Sequence, residues 1–222
     1  MKIIARIRTP FNEKFGIPRQ SGIVDGAIGE IVFEPEYRNE QALRGIEGYS
    51  HLWIIWKFSE AEREEWSPTV RPPRLGGNKR MGVFATRSPF RPNPIGLSSV
   101  KLVSVNRTNE GVTLTVSGID MLDGTPIYDI KPYLTFTDSH PEAVCGFADG
   151  VADYAIKVNF PEDLLEKIDE CEREAIIEIL SNDPRPSYKN HKDADNEYGM
   201  SYGKYEIKFR VENDVLTVTN VN

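Results

Sequence analysis

Apolar and polar positions alternate along most of the first half of this chain, which predicts strands rather than helices. Lys2–Arg8 alternates with β-branched residues, and Ile28–Phe33 and Leu52–Phe58 are short apolar runs with aromatic content, suited to buried strands. Gly82–Ala85 is a further short candidate. Leu97–Val105 and Val112–Val116 read as a hairpin across residues 106–111. In its second arm Val112, Leu114 and Val116 alternate with Thr113, Thr115 and Ser117, so one face is wet. Tyr37–Leu43 is a candidate short helix. Many short strands separated by turn residues suggest a barrel or sandwich rather than βαβ units.

The pattern changes after about residue 139. Leu164, Ile168, Cys171, Ala175 and Ile179 form an apolar stripe at helical spacing, which predicts one helix over Pro161–Asn182 with Cys171 in the core. Pro161 suits a helix start, and Asp183 before Pro184 disfavours its continuation. Tyr205, Ile207, Phe209 and Val211 alternate with charged residues, and Leu216 and Val218 with threonines. Asn213-Asp214 is the turn of that hairpin. The fold class is therefore mainly β: an N-terminal barrel or sandwich domain over residues 1–140, then a small C-terminal α+β domain over residues 141–222.

The 222 residues suffice for a full core without disulfides or metal. Cys145 and Cys171 lie far apart, which fits a reducing compartment. The first residues are charged too soon for a signal peptide, and no apolar run reaches membrane-spanning length. These features predict a cytoplasmic protein. His51, His140 and His191 have no ligand spacing, so no metal site is expected. No G-x-G-x-x-G or phosphate loop occurs, which disfavours a Rossmann cofactor domain. Gly199–Gly203 matches G-x-S-x-G, but a strand follows and no histidine lies beyond Ser201, so the serine-hydrolase elbow lacks its context.

Net charge is −7, yet the charge is uneven. Residues 66–109 hold eight of the 27 Lys and Arg (Arg71, Arg74, Lys79, Arg80, Arg87, Arg91, Lys101 and Arg107) and no Asp or Glu. The rest carries 19 basic against 34 acidic residues. Such an island either meets an anionic partner or pairs with carboxylates elsewhere in the fold.

Within it, Arg87–Leu97 reads Arg-Ser-Pro-Phe-Arg-Pro-Asn-Pro-Ile-Gly-Leu. Each proline fixes φ near −65° and biases its predecessor toward extended backbone. Arg87, Arg91 and Asn93 thus sit on a stiff loop, and arginine offers a planar fork for carboxylate or phosphate. Three more segments combine special backbone residues with hydrogen-bonding groups. They are Phe15-Gly16-Ile17-Pro18-Arg19-Gln20, the Arg71-Pro72-Pro73-Arg74-Leu75-Gly76-Gly77-Asn78 loop, and Asp123–Tyr133. Together the four could converge at one end of a barrel.

The run Gly82-Val83-Phe84-Ala85-Thr86-Arg87-Ser88-Pro89-Phe90-Arg91-Pro92-Asn93 resembles the signature of the TsaA-like, or TrmO, family of S-adenosylmethionine-dependent tRNA (adenine(37)-N6)-methyltransferases. The resemblance extends through Pro18-Arg19-Gln20, the Arg-Pro-Pro-Arg-Leu-Gly-Gly loop, Asp123-Gly124-Thr125-Pro126, residues 183–188, and Tyr198-Gly199. It implies a non-Rossmann β-barrel that binds S-adenosylmethionine, a homodimer with cofactor sites near the interface, and a C-terminal domain that grips tRNA. The implied substrate is N6-threonylcarbamoyladenosine beside the anticodon. By carry-over, cofactor contacts fall on Pro18, Arg19, Gln20, Arg87, Leu97, Asp123, Gly124, Thr125 and Pro126. Ser59 and Glu60 form a further pair, with Ser59 where the family often has histidine.

Methyl transfer is an in-line displacement, and alignment at about 3 Å can contribute roughly 7–11 kcal/mol. The acceptor nitrogen is urea-like, so a group that takes its proton helps, and Tyr128 and Asp129 are the catalytic candidates. Arg91 or Lys131 would meet the threonyl carboxylate. Arg71, Arg74, Asn93, Arg185 and Tyr188 are the remaining candidates for contact with RNA. The alternatives are an S-adenosylmethionine-binding RNA-binding or sensor module, or a methyltransferase acting on a non-RNA small substrate.

Overall fold

The computed structural model describes residues 1–61, 65–72, 79–109, 111–151, 154–185 and 196–222. Six strands close a barrel: β1 (Ala5–Arg8), β2 (Ile28–Phe33), β3 (His51–Lys57), β6 (Ile95–Thr108), β7 (Gly111–Ser117) and β8 (Pro126–Pro132). Their order around it is β1-β2-β7-β6-β3-β8, and every neighbouring pair is antiparallel. Period-two alternation fills the interior, as a barrel of this size requires. Ile7, Ile31, Leu52, Ile54, Leu114, Val116 and Ile127 are fully buried, while Thr113 and Thr115 stay partly wet. Gly96 lets β6 approach the Trp56 indole, because a Cβ there would lie 2.2 Å from the ring.

Between β3 and β6 stands a short ribbon, β4 (Thr69–Val70) with β5 (Met81–Gly82). Gly82–Ala85 is therefore not one strand. Pairing stops at Gly82, and Val83–Ala85 forms a single 3-10 turn whose first residue donates to Pro68 O at 2.9 Å. Tyr37–Leu43 likewise divides into two 3-10 turns, Pro35–Tyr37 and Glu40–Leu43, because Asn39 is extended and caps the second by accepting from Gln41 N.

After α1 (Thr135–Asp138), a four-stranded sheet runs in the order β10 (Tyr198–Tyr202), β11 (Tyr205–Glu212), β12 (Val215–Val221), β9 (Lys157–Asn159). β9 lies parallel to β12, and Asn213 and Asp214 both take positive φ in the β11–β12 turn. The expected single helix is two: α2 (Glu162–Leu165) and α3 (Glu170–Ser181). Asp169 is extended between them, its N–H held by the Tyr205 hydroxyl and its carboxylate by Lys204 at 2.6 Å. The restart shifts the helical phase. Ile168, Ala175, Ile176, Ile179 and Leu180 are buried, whereas Cys171 is exposed, contrary to the core position expected for it. Barrel and sheet share one continuous apolar cluster. Gly199–Gly203 lies in β10 and its turn, not at a strand-to-helix elbow.

Candidate functional site

One end of the barrel carries a cleft of about 770 Å³. Its walls come from the loop after β1, the end of β3, the arginine-proline loop, the start of β6, and the segment between β7 and β8. The arginine-proline loop is braced from within. Thr86 Oγ1 donates to Val83 O at 2.9 Å and accepts from Ser88 N at 3.2 Å, and Arg91 Nη1 donates to Thr86 O and Ser88 O at 3.1 and 3.3 Å. Arg91 thus holds its own loop, and Arg87 projects from it exposed, donating to Gln20 Oε1.

Facing Arg87 across the floor is Asp120. Its Oδ1 accepts from Ser98 Oγ at 2.6 Å, and the fully buried Ser98 Oγ accepts from Trp56 Nε1 at 2.9 Å. Burial pushes the Asp120 carboxyl up to about 6, against the opposing pull of Ser98, of backbone N–H groups and of the Arg87 charge. Trp53, Trp56 and Phe58 supply aromatic wall. None of these was singled out from sequence. The available signal was a lone carboxylate between apolar Ile119 and Met121, and a serine at an inward strand position.

Of the expected cofactor residues, Pro18, Arg19, Gln20, Ser59, Glu60, Arg87, Leu97 and Thr125 line this cleft, as do Arg91 and Asn93. Glu60 pairs with Lys14 at 3.0 Å. Asp123, Gly124 and Pro126 are not in its lining. Their turn is tied to β1: Asp123 Oδ1 accepts from Thr9 N at 2.9 Å, Gly124 O from Arg6 Nη1 at 3.0 Å, and Gly124 takes φ +72°. Arg19 turns toward the segment after α3, where Nη2 donates to Asp183 O and Arg185 O at 2.8 and 3.0 Å. Arg71 lines a broader adjoining cleft of about 1600 Å³.

Tyr128 with Asp129, Lys131, and Arg185 do not join the residues gathered at this cleft. Tyr128 and Asp129 are outside both linings. The irregularity where β8 passes Ile55 and Trp56 resets the strand's alternation, and Asp129 pairs with Lys131 at 2.9 Å in a solvent-exposed ion pair. Arg185 lines the broader cleft with its charge already paired within the fold. It is 5% exposed and forms a two-pronged ion pair with Asp183 at 2.8 and 2.9 Å, completed by the Tyr154 hydroxyl. Arg74 and Tyr188 lie outside the described residues. No metal-binding cluster occurs among the described residues.

A polar floor with one carboxylate, a guanidinium at the rim and aromatic walls suits a flat heterocycle that carries both positive and negative groups. S-adenosylmethionine is such a molecule, and the donor set fits it.

The chain's relatives agree with this chemistry. Residues 6–139 match the family model for the tRNA-methyltransferase O N-terminal domain, and residues 153–222 that for the TrmO C-terminal domain. An Escherichia coli (strain K12) protein named tRNA (adenine(37)-N6)-methyltransferase is 42% identical over 214 residues, covering 94% of this chain and 91% of that one. A Methanothermobacter thermautotrophicus protein named "Probable S-adenosyl-L-methionine-binding protein" is 39% identical over 133 residues, 60% of this chain and 88% of that one. A crystal structure of TrmO from Pseudomonas aeruginosa superposes with a TM-score of 0.79 at 33% identity, covering 99% of this chain and 94% of that one. Barrel, signature loop and C-terminal sheet thus fall in register with one group of proteins along nearly the whole length, and the chain belongs to the tRNA-methyltransferase O (TrmO) family.

Proposed function

We propose that this protein is an S-adenosylmethionine-dependent methyltransferase acting on N6 of adenosine 37 in tRNA. The near-full-length likeness to the E. coli enzyme carries the reading. The cleft supports it chemically. When bound, S-adenosylmethionine supplies an activated methyl group. In this assignment Arg87 pairs with a carboxylate, Asp120 faces positive charge from the floor, and Trp53, Trp56 and Phe58 exclude water around the heterocycle. Asp120 is also the carboxylate in the cleft best suited to accept a proton, since burial raises its pKa to about 6.

The finer reading takes the acceptor as N6-threonylcarbamoyladenosine, with Arg91 of the cleft lining as the partner for its carboxylate. The protein then acts in the cytoplasm as a homodimer, with the barrel holding the methyl donor and the C-terminal sheet on the tRNA side. Leu97 and Val103, 58% and 52% exposed on β6, are the large apolar side chains that a second copy would cover there. Incubation with labelled methyl donor and tRNA from cells lacking this gene, followed by nucleoside mass spectrometry, tests the proposal. The expected result is one added methyl on the modified adenosine. Labelling of small metabolites or protein instead, with tRNA unchanged, would refute it.

A further inference from the structure

Two aromatic rings stand in the open beside the basic run. Trp66 is 52% exposed and Phe84 73% exposed, with ring centroids 6.0 Å apart and planes inclined by 31°. Both line the broader cleft, which shares Pro18, Arg19, Gln20, Arg87 and Arg91 with the smaller one.

Their outward placement is built in. Val83 is buried and anchored to Pro68 O, so the 3-10 turn must send the next side chain, Phe84, away from the core. Trp66 is brought opposite by the β4–β5 pairing, with Ser67 Oγ donating to Thr69 O at 2.8 Å. Two large apolar rings left in water at a fixed separation forgo the gain of burial, which marks them as a contact surface.

The surroundings select the partner. Arg71, Arg80, Arg87 and Arg91 line the same cleft. The acidic groups in the lining are Glu65 and Asp149, and Asp149 accepts from Cys145 N. Guanidinium groups around paired aromatic faces are the composition that recognises unpaired nucleotides: the rings stack on bases of any identity and the arginines meet phosphates.

We propose that Trp66 and Phe84 form a stacking platform for an unstacked RNA base next to the target nucleoside, with Arg71 and Arg80 on the flanking phosphates. The inference rests on the tRNA-methyltransferase reading and assigns a substrate subsite within it.

The test compares wild type with Trp66→Ala, Trp66→Phe and Phe84→Ala in three measurements: affinity for a single-stranded anticodon-loop oligonucleotide, methyl transfer to tRNA, and affinity for S-adenosylmethionine. Each alanine variant should weaken oligonucleotide binding and raise the KM for tRNA by about 5- to 150-fold, the range of one base–aromatic stack, with donor affinity unchanged. Trp66→Phe keeps a ring face and should retain most of the binding. If wild type methylates tRNA and the alanine variants match it in RNA affinity and KM, the platform is refuted while the enzyme reading stands. Loss of self-association in sedimentation, with RNA affinity intact, would make the pair a protein contact and equally refute it. Absence of any transfer to tRNA by wild type would sink the enzyme reading itself.

Discussion

The Ser98 hydroxyl donates a hydrogen bond to the Asp120 carboxylate at 2.6 Å while accepting one from the Trp56 indole N–H at 2.9 Å. A carboxylate on the cleft floor is thereby linked through a buried serine to an indole of the cleft wall. Each group satisfies the next, so the chain of bonds fixes the orientation of all three.

Because burial raises the Asp120 pKa to about 6, its charge appears within an accessible pH range. Folding favours its protonated form, so this group's contribution to stability is present below its unfolded pKa and is lost as pH rises through about 6. Donor binding should run the other way, since a cationic ligand wants the ionised form. Calorimetric titration should show S-adenosylmethionine affinity increasing as pH rises through about 6, and Asp120→Asn should flatten that dependence. A wild-type affinity independent of pH in this range would remove Asp120 from the site.

Arg87→Ala should weaken donor binding by roughly 10- to 150-fold, the loss expected when a hydrogen-bonded charge pair goes. Thermal stability should hardly change, because Arg87 is exposed and bonded to Gln20. An unchanged binding isotherm would mean that another cation meets the carboxylate.

The Asp183–Arg185 pair is buried, with side chains 1% and 5% exposed. Burial works to raise the Asp183 pKa. The hydrogen bonds and charge of Arg185, with the Tyr154 hydroxyl, outweigh it and hold the carboxyl below its usual value. The pair therefore stabilises the fold above the ordinary aspartate pKa and loses that contribution as pH falls through the depressed one. Asp183→Asn strands the buried guanidinium and should cost about 3–5 kcal/mol in urea unfolding. A change below about 1 kcal/mol would show that Arg185 finds another partner. Arg19 binds the carbonyls of this same turn, so the variant should also loosen the donor-site loop.

Gly96→Ala places a Cβ 2.2 Å from the Trp56 indole, which must move. Overpacking of this kind costs about 1–3 kcal/mol. The displaced indole should change the near-ultraviolet circular dichroism and weaken donor binding together. A stable variant with an unaltered tryptophan spectrum would contradict the tight packing.

Alternation along Ile28–Phe33, Leu52–Phe58, Val112–Val116 and Tyr205–Val211 announces the strands because the pleat puts neighbouring side chains on opposite faces, a local property. The signature loop is equally visible, since proline and arginine act through their own backbone and side-chain chemistry. Ring closure, the break at Asp169, the exposed Cys171, and the fate of each charged residue depend on partners distant in sequence. Nothing local in the sequence shows that the Arg185 charge is buried against Asp183 or that Asp129 lies beside Lys131. Asp120 lacks any local sign of function, yet the barrel sets it against Ser98 and opposite Arg87. A side chain's intrinsic chemistry is written in its residue type. Whether that chemistry is spent on the fold or left facing a cleft depends on burial and on neighbours, which the chain acquires only when the barrel closes.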